Sequence, residues 1–317
     1  MRAKLIAAIV AVAVITGSAA LVSSGSGHPL PQAKKCRIFP RNNPWNQRVD
    51  KLPVAGNSGA VVRAIGAGDP VHADFGSGLY NGGPIGIPYT TVPQRQKRVR
   101  VSFDYADESD RGKYPIPRNA PIEGGRSSDG DRHVIVVDRG RCKLFELFAA
   151  SPVNGGRTWH AGSGAIWSLR SNKLRHAGWT SADAAGLPIL PGLARYDEVK
   201  RGSIDHALRF TVDRTRRAYV YPARHVASDL TDRNLPPMGM RFRLKKSFPV
   251  SRYPRQSRIV LRALQRYGMI VADNGSNWFI SGAPNKGWSN DDLHRLGGVQ
   301  GSDFEVVDTR SLPQPGK

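Results

Sequence analysis

Apolar and polar residues alternate strictly through Val99-Arg100-Val101-Ser102-Phe103-Asp104-Tyr105, the period-two pattern of a half-buried strand. His133 to Val137 and Lys143 to Phe148 are more continuously apolar and read as strands joined across Asp138-Arg139-Gly140-Arg141. Ile204 to Val212 and Arg217 to Val226 read as a second antiparallel pair, and Met240 to Leu244 as a further strand. Only one segment has strong helical periodicity. Val260, Ala263, Leu264 and Tyr267 fall at i, i+3, i+4 and i+7, which predicts a helix over Arg255 to Tyr267 that stops at Gly268. Asn274-Gly275 between Met269–Ala272 and Trp278–Ile280 predicts a tight hairpin. Ser289, with Asp292 three residues on, predicts a short capped helix over Asp291 to Leu296.

The N-terminal pattern is different. Met1-Arg2-Ala3-Lys4 is followed by the uncharged run Leu5 to Val22 and then by small polar residues, the layout of a secretory leader over residues 1–27. The alternative is an uncleaved anchor, because the run is just long enough to span a bilayer. No second apolar stretch approaches that length, so no membrane span is expected in the mature chain. Export makes a disulfide between the two cysteines, Cys36 and Cys142, the default expectation.

Thirty-four glycines and 23 prolines, spread along the chain, imply many turns and short elements. The expected fold is therefore mainly β: a single-domain β-sandwich or jelly-roll-like fold over residues 36–312 with one docked C-terminal helix. Residues 28–35 read as a linker and 313–317 as a tail. The net charge of +22 favours polyanionic surroundings. The basic residues are scattered and form no nucleic-acid arm, so no specific nucleic acid is expected, and the expected state is a monomer.

Candidate chemistry falls into three groups. His72-Ala73-Asp74 and Asp131-Arg132-His133 each place a histidine and a carboxylate two residues apart, on one side of an extended segment. If the pairs meet, His72, Asp74, Asp131 and His133 form a set suited to a divalent metal. The chain otherwise implies no cofactor. The loop acids Glu123, Asp183, Asp197, Glu198 and Asp273 are candidates for acid–base work on a glycosidic bond, which needs two carboxyls flanking the scissile atoms. Asp183 with Asp197 or Glu198 is the favoured pair, with His206 and His225 as orienting groups or bases. Ile204, His206, Leu208 and Phe210 share one face of their segment, and Asp205, Ala207, Arg209 and Thr211 the other. Trp167 and Trp179 are candidate platforms for sugar rings, with Arg224 and Asp273 as further substrate contacts. No phosphate-cradling loop and no G-x-S-x-G elbow occurs.

The blocks Gly178-Trp179-Thr180-Ser181-Ala182-Asp183-Ala184-Ala185-Gly186-Leu187-Pro188-Ile189-Leu190-Pro191-Gly192-Leu193 and Arg266-Tyr267-Gly268-Met269-Ile270-Val271-Ala272-Asp273-Asn274-Gly275 resemble those of a group of exported, functionally uncharacterised bacterial proteins. The resemblance implies export and a shared fold, and it transfers no catalytic residue. The expectation from sequence is a secreted carbohydrate-active protein that cleaves a cell-wall or environmental polysaccharide, anionic in keeping with the charge. A non-catalytic polyanion or glycan binder and a metal-dependent hydrolase are the alternatives.

Overall fold

A computed structural model describes residues 27–317; residues 1–26, on which the leader expectation falls, lie outside the described residues. In chain order the strands are β1 (His72–Asp74), β2 (Leu79–Tyr80), β3 (Gly83–Pro84), β4 (Tyr89–Val92), β5 (Val99–Phe103), β6 (Lys113–Tyr114), β7 (Val134–Asp138) and β8 (Lys143–Phe148). They continue as β9 (Ser151–Val153), β10 (Thr158–Ala161), β11 (Ser163–Ser168), β12 (Leu208–Val212), β13 (Arg241–Leu244), β14 (Met269–Asn274), β15 (Phe279–Ser281) and β16 (Phe304–Val306). The helices are α1 (Ser58–Ile65), α2 (Tyr196–Arg201), α3 (Arg255–Arg266) and α4 (Asn290–His294). The fold is mainly β, as expected. Among the described residues no helix is long and apolar enough to cross a membrane.

Two four-stranded sheets form a sandwich. One has the order β11-β8-β7-β4 and the other β6-β5-β10-β9. Val134 and Val136 of β7 and Phe145 and Leu147 of β8 face Val99, Tyr114, Trp159 and Ala161 across the interface. The opposite faces of β7 and β8 carry Ile135, Val137 and Leu144, which pack on Ile189, Leu190 and Leu193. Alternation along a strand with both faces buried explains why β7 reads as an unbroken apolar run.

The third sheet has six strands in the order β1-β15-β12-β14-β13-β16. Helices α1 and α3 contribute Val61, Val62, Ile65, Val260, Leu261 and Leu264 to its core. α3 ends as predicted, where Gly268 takes φ +68° and a side chain would strike the Phe242 carbonyl. The Ser289 side chain caps α4 by accepting from the Asp292 N–H.

Two expected pairings are absent. β14 and β15 do not form a hairpin across Asn274-Gly275; β12 lies between them, parallel to β14 and antiparallel to β15. Asn274 spends its side chain on Thr215 and on the Ala227 carbonyl, and Gly275 and Trp278 donate their N–H groups to β12. Residues 217–226 form no strand; apart from a single bridge at Tyr219 and a turn at Tyr221-Pro222 they are irregular. The segments expected as linker and tail are also docked. Leu30 and Ala33 are buried in the core, His28 pairs with Asp205, and in the tail the Pro313 and Pro315 carbonyls accept from Gln47 and from the Tyr221 hydroxyl.

Cys36 and Cys142 form the expected disulfide across a sequence separation of 106. The bond ties the N-terminal arm to the start of β8, and closing so long a loop restricts the unfolded chain. Replacing both cysteines with serine is expected to lower unfolding free energy by about 2–5 kcal/mol, read from denaturant curves. A loss below about 1 kcal/mol would contradict it.

Candidate active site

The strand order that removes the expected hairpin also builds the site. Because β12 is central, Arg209 stands between β14 and β15. Its Nε and Nη2 donate to both oxygens of Asp183, at 2.9 and 2.8 Å. Nη2 also donates to Asp273 on β14 at 3.1 Å, and Nη1 donates to Ser281 on β15 at 2.6 Å. Arg209 and Asp183 are almost wholly buried, whereas the Asp273 side chain is 21 % exposed.

A second unit meets this one through residues 182–183. His133, buried at the start of β7, places Nε2 2.9 Å from the Ala182 carbonyl and Nδ1 2.5 Å from Glu123. A carbonyl only accepts, so Nε2 carries a proton. Glu123 and His133 also pair through their main chains, and the Glu123 side chain is 22 % exposed. Arg132 staples the intervening loop by donating to the carbonyls of Arg126, Ser128 and Ala150. One connected series therefore runs from Glu123 through His133, Ala182, Asp183 and Arg209 to Asp273.

Burial opposes charge on both members of the Glu123–His133 pair, and each overrides it for the other. The Glu123 carboxyl is held below its usual range, and the His133 imidazole is pushed up to about 9. Asp273 behaves in the opposite way. Burial, and then the negative charge of Asp183, push it up to about 7 against the pull of Arg209. Asp74 is pushed upward as well, by burial and then by the charge of Glu123. The cluster thus contains two solvent-reaching carboxyls whose environments pull their ionisation apart, the arrangement that lets one act as an acid and another as a base at one pH.

Of the two histidine–carboxylate pairs, only Asp131–His133 enters a set with metal-ligand spacing, and its third member is Glu123 rather than His72 or Asp74. Glu123, Asp131 and His133 each offer a ligand atom within 4.8 Å of the others. His72 itself stacks on Phe279, with ring centroids 4.2 Å apart. The oxygen and nitrogen donors of this set suit a divalent ion, which would have to displace the proton that His133 Nδ1 shares with Glu123.

The other expected residues lie elsewhere. Glu198 is fully buried on α2 between Arg195 at 2.5 Å and His206 at 3.0 Å, and Asp197 pairs with Arg201 and Arg195. His206 also contacts the Ala207 carbonyl. No hydrogen bond or ion pair among the described residues joins this network to Asp183. Asp183 itself is spent on Arg209. His225 contacts the Ala184 carbonyl at 2.8 Å and lies 3.9 Å from Glu108, and Arg224 donates to the Arg175 carbonyl. Trp167 is buried and its indole N–H donates to Glu146, so it offers no platform. The Arg175 guanidinium lies over both Trp167 and Trp179, at 5.7 and 5.5 Å.

Arg209 and the Glu123–His133 pairing were not foreseen. A lone arginine in the apolar run Leu208-Arg209-Phe210 was the available signal, because a buried cation demands carboxylate partners. Comparison of the chain with family models, with curated proteins and with solved structures gives no match in any of the three.

Proposed function

We propose that this chain is an exported polysaccharide-cleaving enzyme whose active site is the acid cluster around Arg209. Asp273 is the general acid and Glu123 the general base. One observation carries the reading: two carboxyls with partly exposed side chains belong to one connected cluster, Asp273 raised by burial and the Asp183 charge and Glu123 lowered by its pairing with His133. Arg209 and His133 are positioning groups. Hydrolysis suits the cluster better than uronate lyase chemistry, which needs an arginine free to neutralise the sugar carboxylate; every Arg209 nitrogen already has a partner. The net charge of +22 supports a glycan that carries acidic groups.

The spacing of Glu123, Asp131 and His133 supports a second reading, hydrolysis assisted by a divalent ion at that set. One experiment separates the readings. Residues 27–317 are incubated with a polysaccharide panel that includes uronic-acid polymers, with and without chelator. Reducing ends and the ultraviolet absorbance of unsaturated products are both followed. New reducing ends that persist in chelator support the two-carboxyl reading, and their loss in chelator supports the metal. Unsaturated products mean a lyase. No turnover, with salt-sensitive retention on anionic polymers, means a binding protein.

A further inference from the structure

Beside the acid cluster lies a cleft of about 620 Å³, lined in part by His72, Asp74, Tyr80, Phe279 and His294. Three observations connect it to the chemistry. Asp74 and Tyr80 line the cleft, and the hairpin that carries Tyr80 lies against Gly124, the residue after Glu123, so the cleft borders the Glu123 loop. His72 and Phe279 are register partners on β1 and β15, and their stacked rings form an aromatic patch. The β2–β3 hairpin holds Leu79 and Tyr80 in solvent, 70 % and 72 % exposed.

That hairpin is firmly seated. The Gly83 backbone lies against Gly124, so closely that a side chain at 83 would fall 2.1 Å from the Gly124 carbonyl oxygen. Gly124 directly follows Glu123, so hairpin and catalytic loop form one unit. The strap before the hairpin is tied to α4, where Asn290 accepts from the Ser77 N–H and donates to the Ser77 carbonyl, each at 2.9 Å. Large apolar side chains held exposed on a fixed element mark a contact surface. An open cleft with aromatic walls and a carboxylate at its edge, beside the Glu123 loop, matches the shape and polarity of a sugar ring, with apolar C–H faces and a hydroxylated rim.

We propose that this cleft is a glycan subsite in which one pyranose ring lies between Tyr80 and the His72–Phe279 pair, with Asp74 accepting from its hydroxyls. The inference rests on the glycan-cleaving reading and adds the place where the chain is gripped. Binding tests it apart from turnover. The Asp273→Asn chain and its Tyr80→Ala and Tyr80→Phe derivatives are titrated with chitohexaose, cellohexaose and hexagalacturonate, followed by tryptophan fluorescence and calorimetry. The expected result is binding of one of these probes that weakens about tenfold in Tyr80→Ala and is retained in Tyr80→Phe, with thermal midpoints unchanged because Tyr80 is exposed. Equal affinity in Tyr80→Ala overturns the subsite and leaves the cleavage reading standing. Absence of binding by all three probes also overturns the subsite, while polymer cleavage by the unsubstituted chain judges the catalytic reading separately.

Discussion

Asp273→Asn is expected to lower kcat on a cleaved polysaccharide by about 10²–10⁴-fold, the usual contribution of a positioned proton donor. An amide cannot donate the proton that the leaving oxygen needs, yet it fits the same space and can still accept from Arg209. Folding should therefore survive, and KM should change little, since the lost interaction develops only in the transition state. Asp197→Asn is the contrasting variant. Asp197 pairs with Arg201 and Arg195 on α2, outside the connected series that includes Asp273, so its kcat should stay near that of the parent chain. Steady-state kinetics of the two variants check the assignment. A large loss in Asp197→Asn, or none in Asp273→Asn, would move the chemistry to the α2 network.

The largest expected effect on stability is at Arg209. Its charge compensates Asp183, which is fully buried, and part of the charge of Asp273. Burial opposes the charge on Arg209 itself, and Asp183 overrides this and holds the guanidinium above its ordinary range. Arg209→Met fills similar volume but leaves a buried carboxylate without a counter-charge, a change that typically costs about 3–5 kcal/mol. Asp183→Asn in the same chain removes the stranded charge and should restore part of the loss, so the two substitutions will not be additive. Denaturant unfolding of the two single variants and the double variant measures this coupling. A loss below about 1 kcal/mol in Arg209→Met, or simple additivity, would show that the pair is not the electrostatic centre of the fold.

Much of the fold was legible where one periodicity dominates. β5, β7, β8 and α3 lie within a few residues of their expected places because alternation or a 3.6-residue stripe is strong there, and the expectation of export was enough to pair Cys36 with Cys142. Helix α1 was missed because eight residues with no side-chain cap carry little signal. The Asn274-Gly275 hairpin was expected on local turn chemistry, and long-range pairing overrode it: β12, sixty residues earlier in the chain, inserted between the two strands.

The site was legible by halves. Two-residue spacing marked His72 with Asp74 and Asp131 with His133, and the flanking loop marked Asp183 and Asp273. Nothing local could show that Glu123 reaches back to His133 around a glycine-rich loop. Nor could it show that Arg209 binds acids from two distant segments. Of the two tryptophans, Trp167 is buried against Glu146, whereas Trp179 is half-buried with Arg175 over its ring.

The most direct test of the acid–base pair is the pH dependence of kcat/KM for the unsubstituted chain on a polymer that it cleaves. A raised Asp273 is protonated below its value of about 7 and loses its proton above it, so the rate should fall as pH rises through about 7. A lowered Glu123 stays ionised until pH drops below the ordinary carboxylate range, so the ascending limb should lie well into acid. The account predicts this bell, with its alkaline limb near neutrality. A rate that stays flat or rises from pH 6 to 8 would contradict it.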